Sequence, residues 1–192
     1  MATSSAPNGF MPVQHRSGGT LRPQFYKDAI TSGATGDLFR GMPVYFDANG
    51  KVTQCTATTI VGGIFAGVEY TDPSTGQRRL HKYWAASETA TGGIDAWIWS
   101  DPNLVFEVQA TGSLAQSSVN AQANVASATA GDTRTGLSSC MLSITLATDG
   151  ASDQFQIVDR SLKEDNAWGD SFTRVLVVIN EHQFRASRTV AV

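Results

Sequence analysis

Beyond about residue 43 the chain alternates short apolar, β-branched runs with clusters of Gly, Asn, Asp and Pro, at intervals of about ten residues. That spacing predicts many short strands joined by turns. Residues 43–47 and 51–58 flank Ala48-Asn49-Gly50, and Asn-Gly between strand-like runs predicts a hairpin because both residues tolerate positive φ. A strand over 64–70 is followed by the turn Asp72-Pro73-Ser74-Thr75-Gly76 and a further run over 79–84. The run 94–100 closes at Asp101-Pro102-Asn103. In the next, 105–109, Phe106 and Val108 share one face while Glu107 and Gln109 share the other, which predicts one wet side. Residues 141–146 alternate, with Leu142, Ile144 and Leu146 together; 155–162 repeats the pattern with Phe155 and Ile157. The Val/Leu/Ile run 174–179 reads as a fully buried central strand. Residues 114–125 have helix-tolerant composition but a thin apolar stripe, so they read as one short helix or as a loop lying flat on the body. The expected fold is mainly β: an antiparallel β-barrel or β-sandwich with an extended N-terminal arm and at most one short helix.

The arm is expected over residues 1–36, with the barrel or sandwich over 37–192. The first stretch is polar, broken by Pro7, Pro12, Pro23 and repeated Gly, and no period of 2 or 3.6 survives ten residues. A segment this poor in apolar groups cannot offset its ordering entropy of about 1–2 kcal/mol per residue, so a neighbouring molecule is expected to hold it. Its contact residues are expected to be Phe10, Met11, Val13, Phe25, Tyr26 and, just beyond, Phe39, since aromatic and Met side chains dominate interface cores.

Composition agrees with a β-protein or an assembly subunit. In 192 residues only 16% are charged, against about 25% in ordinary domains, and Ser, Thr, Ala, Gly and Asn replace the missing charge. The formal net charge of -3 argues against nucleic-acid and anionic-membrane partners. Residues 1–19 lack the charged start and apolar block of a secretory signal, and no apolar run approaches the ~20 residues that a bilayer requires. Cys55 and Cys140 stand far apart without ligating neighbours, so buried free thiols are favoured over a disulfide.

Reactive motifs are weak throughout. Asp47-Ala48-Asn49-Gly50 lacks the ligands that complete a calcium loop. Gly62-Gly63 and Gly67 miss the phosphate-binding spacing, and Gly136-Leu137-Ser138-Ser139-Cys140 misses the second glycine of a serine-hydrolase elbow. His15, His81 and His182 are scattered, and solvated or capping roles are expected of them. No catalytic residue, metal or cofactor is therefore assigned. Arg78, Arg79, His81 and Lys82 form a small basic cluster beside Tyr83 and Trp84, read as a solvated strand end or a protein contact. Trp97 and Trp99 project to one side of their strand, opposite Ala96 and Ile98. They suit core packing or a subunit interface, with a sugar-binding platform as the rival reading.

Four stretches, GDLFRGMPV over 36–44, GGIFAGVEY over 62–70, DPNLVFEVQ over 101–109 and RVLVVINEH over 174–182, together resemble the capsid decoration, or cement, proteins among the small virion structural proteins of tailed bacteriophages. The resemblance covers residues 36–182. It implies a β-barrel or sandwich, no catalysis, and attachment to the outside of an icosahedral shell. The expected partners are the major capsid protein and further copies of the chain, as a homotrimer or another small oligomer. The expected location is the virion exterior, after assembly in the host cytoplasm. Another virion component, such as a head-fibre base, tail or major shell subunit, is the nearest alternative. A small carbohydrate-binding module using the Trp face comes from a different class.

Overall fold

A computed structural model describes residues 4–33, 36–147 and 153–185. In chain order the strands are β1 (Met11–His15), β2 (Gln24–Ile30), β3 (Leu38–Phe39), β4 (Pro43–Phe46), β5 (Val52–Gln54), β6 (Gly63–Thr71), β7 (Arg78–His81) and β8 (Tyr83–Trp84). They continue as β9 (Ile94–Trp99), β10 (Leu104–Gln109), β11 (Gln122–Ala126), β12 (Gly131–Asp132), β13 (Leu137–Ser138), β14 (Met141–Leu146), β15 (Phe155–Arg160) and β16 (Arg174–Ile179). One sheet runs β1-β10-β16-β15-β11-β14; the other runs β2-β9-β6-β4-β5, with β7 added alongside β6. All of these strand pairs are antiparallel, as expected. The first sheet curls until Ala110, just past β10, bridges Leu142 of β14, and a bridge from Val61 to His182 ties the two sheets together.

A single apolar core serves both sheets. Phe106, Phe155 and Val177 enter from the first, and Val44, Phe65 and Ile98 from the second. β16 is central, between β10 and β15, as expected, but it is not buried throughout, since Arg174 and Leu176 are only half-buried. The β4–β5 hairpin also forms: the Asp47 carboxylate accepts the Asn49 and Lys51 amides at 2.8 Å, while Gly50 alone takes the left-handed turn, at φ 71°. Residues 114–125 form no α-helix. A single 3-10 turn, Gln116–Ser118, leads into strand β11, because too few large apolar groups lie on one helical face to hold a longer helix. The wet side expected of β10 is covered as well. Glu107 is bonded by Ser161 and Lys163, and Gln109 accepts the Ala6 amide at 2.9 Å.

The arm expected over residues 1–36 is corrected by strand pairing within its described residues, 4–33 and 36; the rest of it lies outside the described residues. β1 hydrogen-bonds along β10 as an edge of the first sheet, and β2 along β9 as an edge of the second. Main-chain hydrogen bonds need no apolar side chain, so a segment with weak hydrophobic periodicity still gains order by completing a sheet. The boundary expected at residue 36 therefore has no counterpart in the core. Phe10 is fully buried, with its ring on Phe155, and Phe39 is buried and stacked on Tyr83 at 5.9 Å. Contrary to the expectation of surface contacts, neither side chain is exposed.

Candidate interaction groove

Strand β9 places Ala96 and Ile98 in the core and turns Trp97 and Trp99 to the outer side of the second sheet, as their spacing predicts. There they line a groove of about 660 Å³. The β1–β2 connection forms one wall through Leu21 and Pro23, and β7 forms the opposite wall through Leu80, which is 70% exposed. Phe25 stands edge-on to Trp97, ring centroids 5.1 Å apart, and extends the apolar rim.

The charge in this groove is all of one sign. Arg40, just after β3, lays its guanidinium over the Trp99 ring at 5.3 Å, a cation–π contact, and has no ion pair among the described residues. His81 and Lys82 stand at the rim, and among the described residues no carboxylate lines the groove. The acids on the same sheet are already engaged: Arg78 holds Glu69 at 3.0 Å and Asp95 at 2.7 Å, and Arg79 holds Asp72 at 2.6 Å. The basic cluster thus divides, two arginines neutralised within the sheet and two bases left at the groove. Arg40 Nε and Trp97 Nε1 are shielded from solvent with no acceptor among the described residues. A donor buried in this way costs about 1–3 kcal/mol. The groove can accordingly take an apolar group that carries a negative charge or an acceptor.

The expected anchors divide. Phe25 belongs to this rim. Val13 is 43% exposed at the irregularity in β1. Met11 is half-buried opposite Glu107, and Tyr26 bonds Ser100 through its hydroxyl at 2.8 Å and packs on Phe46. The tryptophans do not make a two-ring platform, because Trp99 is only 4% exposed beneath Arg40. Arg40 and Leu80 were missed by the sequence reading: an isolated Arg and Leu carry no periodic signal, and only strand pairing brings them beside Trp97.

The histidines are not gathered, and among the described residues no three His, Cys, Asp or Glu side chains group as metal ligands. His15 is not solvated but bonded to Asp101 at 3.0 Å, and His182 is buried, its Nδ1 accepting the Phe184 amide at 3.1 Å. Cys55 and Cys140 are buried free thiols.

A second displayed surface lies over the first sheet, in the connection from β15 to β16. Leu162 there is 82% exposed. The turn beneath it is fixed by buried Asn166, which donates to the Ser161 and Arg174 carbonyls and accepts the Arg174 amide, each at 2.8 Å. Lys163 is drawn down to Glu107 at 2.6 Å. Compared with known proteins, the chain matches no family model, no curated protein and no solved structure.

Proposed function

We propose that the chain is a non-enzymatic structural protein of a tailed-phage particle, one that binds the outer capsid surface and links neighbouring major capsid subunits. The observation that carries this reading is the display of large apolar side chains at separate places on a fixed β framework. Phe25 and Leu80 flank the groove on one sheet, and Leu162 stands over the other. A bridging protein needs at least two such surfaces. The four stretches that resemble decoration proteins support the same assignment.

The mechanism is interfacial. Apolar burial contributes about 25 cal/mol per Å² before association costs, and symmetry-repeated copies add avidity over a shell. Attachment falls to strand faces and turns, since the N-terminal strands are part of the body.

The test is co-sedimentation of the purified chain with shells assembled from the major capsid protein of the same source. The chain should pellet with the shells to a saturating ratio and raise the temperature at which they open. A chain that stays in the supernatant at every concentration, and leaves shell opening unchanged, overturns the reading.

A further inference from the structure

We propose that copies of this chain associate head to tail, the Leu162 turn of one copy seated in the Arg40 groove of the next. This goes beyond shell binding and needs only the purified chain, so its failure leaves the shell reading standing.

The two surfaces are complementary in shape class and in charge. The groove is an apolar trough whose cation, Arg40, has no counter-ion among the described residues, with Lys82 and His81 beside it. The turn presents a single protruding Leu162 followed by exposed Glu164 and Asp165, neither of which forms an ion pair among the described residues. Lys163, the one cation in that run, is tied to Glu107, so the displayed tip is an apolar knob with two negative charges.

The turn is also held ready. Asn166 closes it through three hydrogen bonds, Arg160 donates to the Asn166 carbonyl, and Ser161 donates to Glu107. Binding through a fixed turn loses little conformational entropy. The knob stands over the first sheet while the groove opens on the second, so the contact is heterologous: it closes into a ring or continues as a chain, according to the rotation between copies.

Sedimentation velocity across a concentration series tests this on the full chain. The mass should rise with concentration, and less so at high salt, because opposite charges meet. Leu162→Asp and Arg40→Glu should each weaken association at least about tenfold, a loss of roughly 1.4 kcal/mol. Leu80→Asp, at an exposed site, provides a groove variant that spares the fold. Mixing Leu162→Asp with Arg40→Glu is the decisive arm: one retains an intact groove and the other an intact knob, so the mixture should form a dimer and stop. A wild-type chain that stays monomeric overturns the proposal, even if a synthetic acidic peptide binds its groove, since the groove then serves another protein. So does association that none of the variants weakens, or a mixture of folded variants that forms no dimer.

Discussion

The ring of Phe10 lies stacked on that of Phe155, centroids 4.3 Å apart at an interplanar angle of 20°. This contact joins the start of the chain to β15 within one core. Phe10→Ala should therefore cost about 3–5 kcal/mol in urea unfolding, the range for a buried aromatic removed. Phe25→Ala, at an exposed rim, should cost under about 1 kcal/mol. Removing residues 1–30 strips an edge strand from each sheet and should abolish the cooperative transition followed by circular dichroism.

Gly9 sets the entry of Phe10 into the core. Its φ is +73°, and a Cβ there would stand 2.5 Å from the Gly41 carbonyl oxygen, an atom of the main chain that cannot swing aside. Gly9→Ala should destabilise the protein by about 1–3 kcal/mol or more, from backbone strain with the clash added. Thermal denaturation beside Gly76→Ala, a turn with open space around it, separates the two contributions, since Gly76 also has positive φ but meets no atom.

The cysteines should be silent in the folded protein. Burial pushes the Cys55 thiol up to about 12 and the Cys140 thiol up to about 11. Only a thiolate reacts readily, so a disulfide-exchange reagent at neutral pH should titrate no thiol natively and both after denaturation. Reaction of one thiol under native conditions would mark local opening around it.

Acid should weaken the fold in two steps. Burial, with Arg185 acting in the same direction, lowers the His182 pKa from 6.5 to about 4. Above the ordinary value the imidazole is neutral in both states and the contribution is whole. As the pH falls from there toward the folded value, the unfolded chain takes a proton that the folded one refuses, and up to about 3 kcal/mol is lost. Below 3.8 the carboxylates follow. Burial raises the Asp95 pKa, but Arg78 and the Asp28 amide outweigh it, and the Asn103 amide leads in lowering Asp101. Stability held by these acids is present above their ordinary pKa and disappears as pH drops through the depressed ones. His182→Gln should flatten the first limb of melting temperature against pH and leave the second; an unchanged first limb would discard the assignment.

Glu107 ties the Leu162 turn to the first sheet by accepting from Ser161 and Lys163. Glu107→Ala leaves those donors without their acceptor and should cost about 1–3 kcal/mol. Hydrogen exchange should speed up at residues 161–166 before it does so in β16, and uniform acceleration would contradict a local tie.

Strand content and the central position of β16 were legible because period-two patterns and unbroken Val/Leu/Ile runs are local. The Asn49-Gly50 pair announced the β4–β5 turn for the same reason, although only Gly50 takes positive φ and the Asp47 carboxylate that closes the turn was not foreseen. The N-terminal strands were not legible: β1 and β2 are held by main-chain bonds to β10 and β9, and such bonds leave no mark in side-chain order. Glu107 and Gln109 alternate like solvent-facing residues, yet they are covered by segments distant in the chain. Of the groove, the shared side of Trp97 and Trp99 could be read, while Arg40 and Leu80 arrive by tertiary pairing alone.

The placement of β1 and β2 bears on how a ribosome delivers this molecule. Each emerges long before its mate, so early in synthesis both strands hang unpaired beside a tunnel that still holds β9 and β10. Neither sheet can finish its edge until the later strands have left the tunnel, and closing such distant pairs is slow. The nascent chain thus spends that interval with two unsatisfied ribbons, a period when crowded sister chains could exchange them and when chaperone occupancy would matter most.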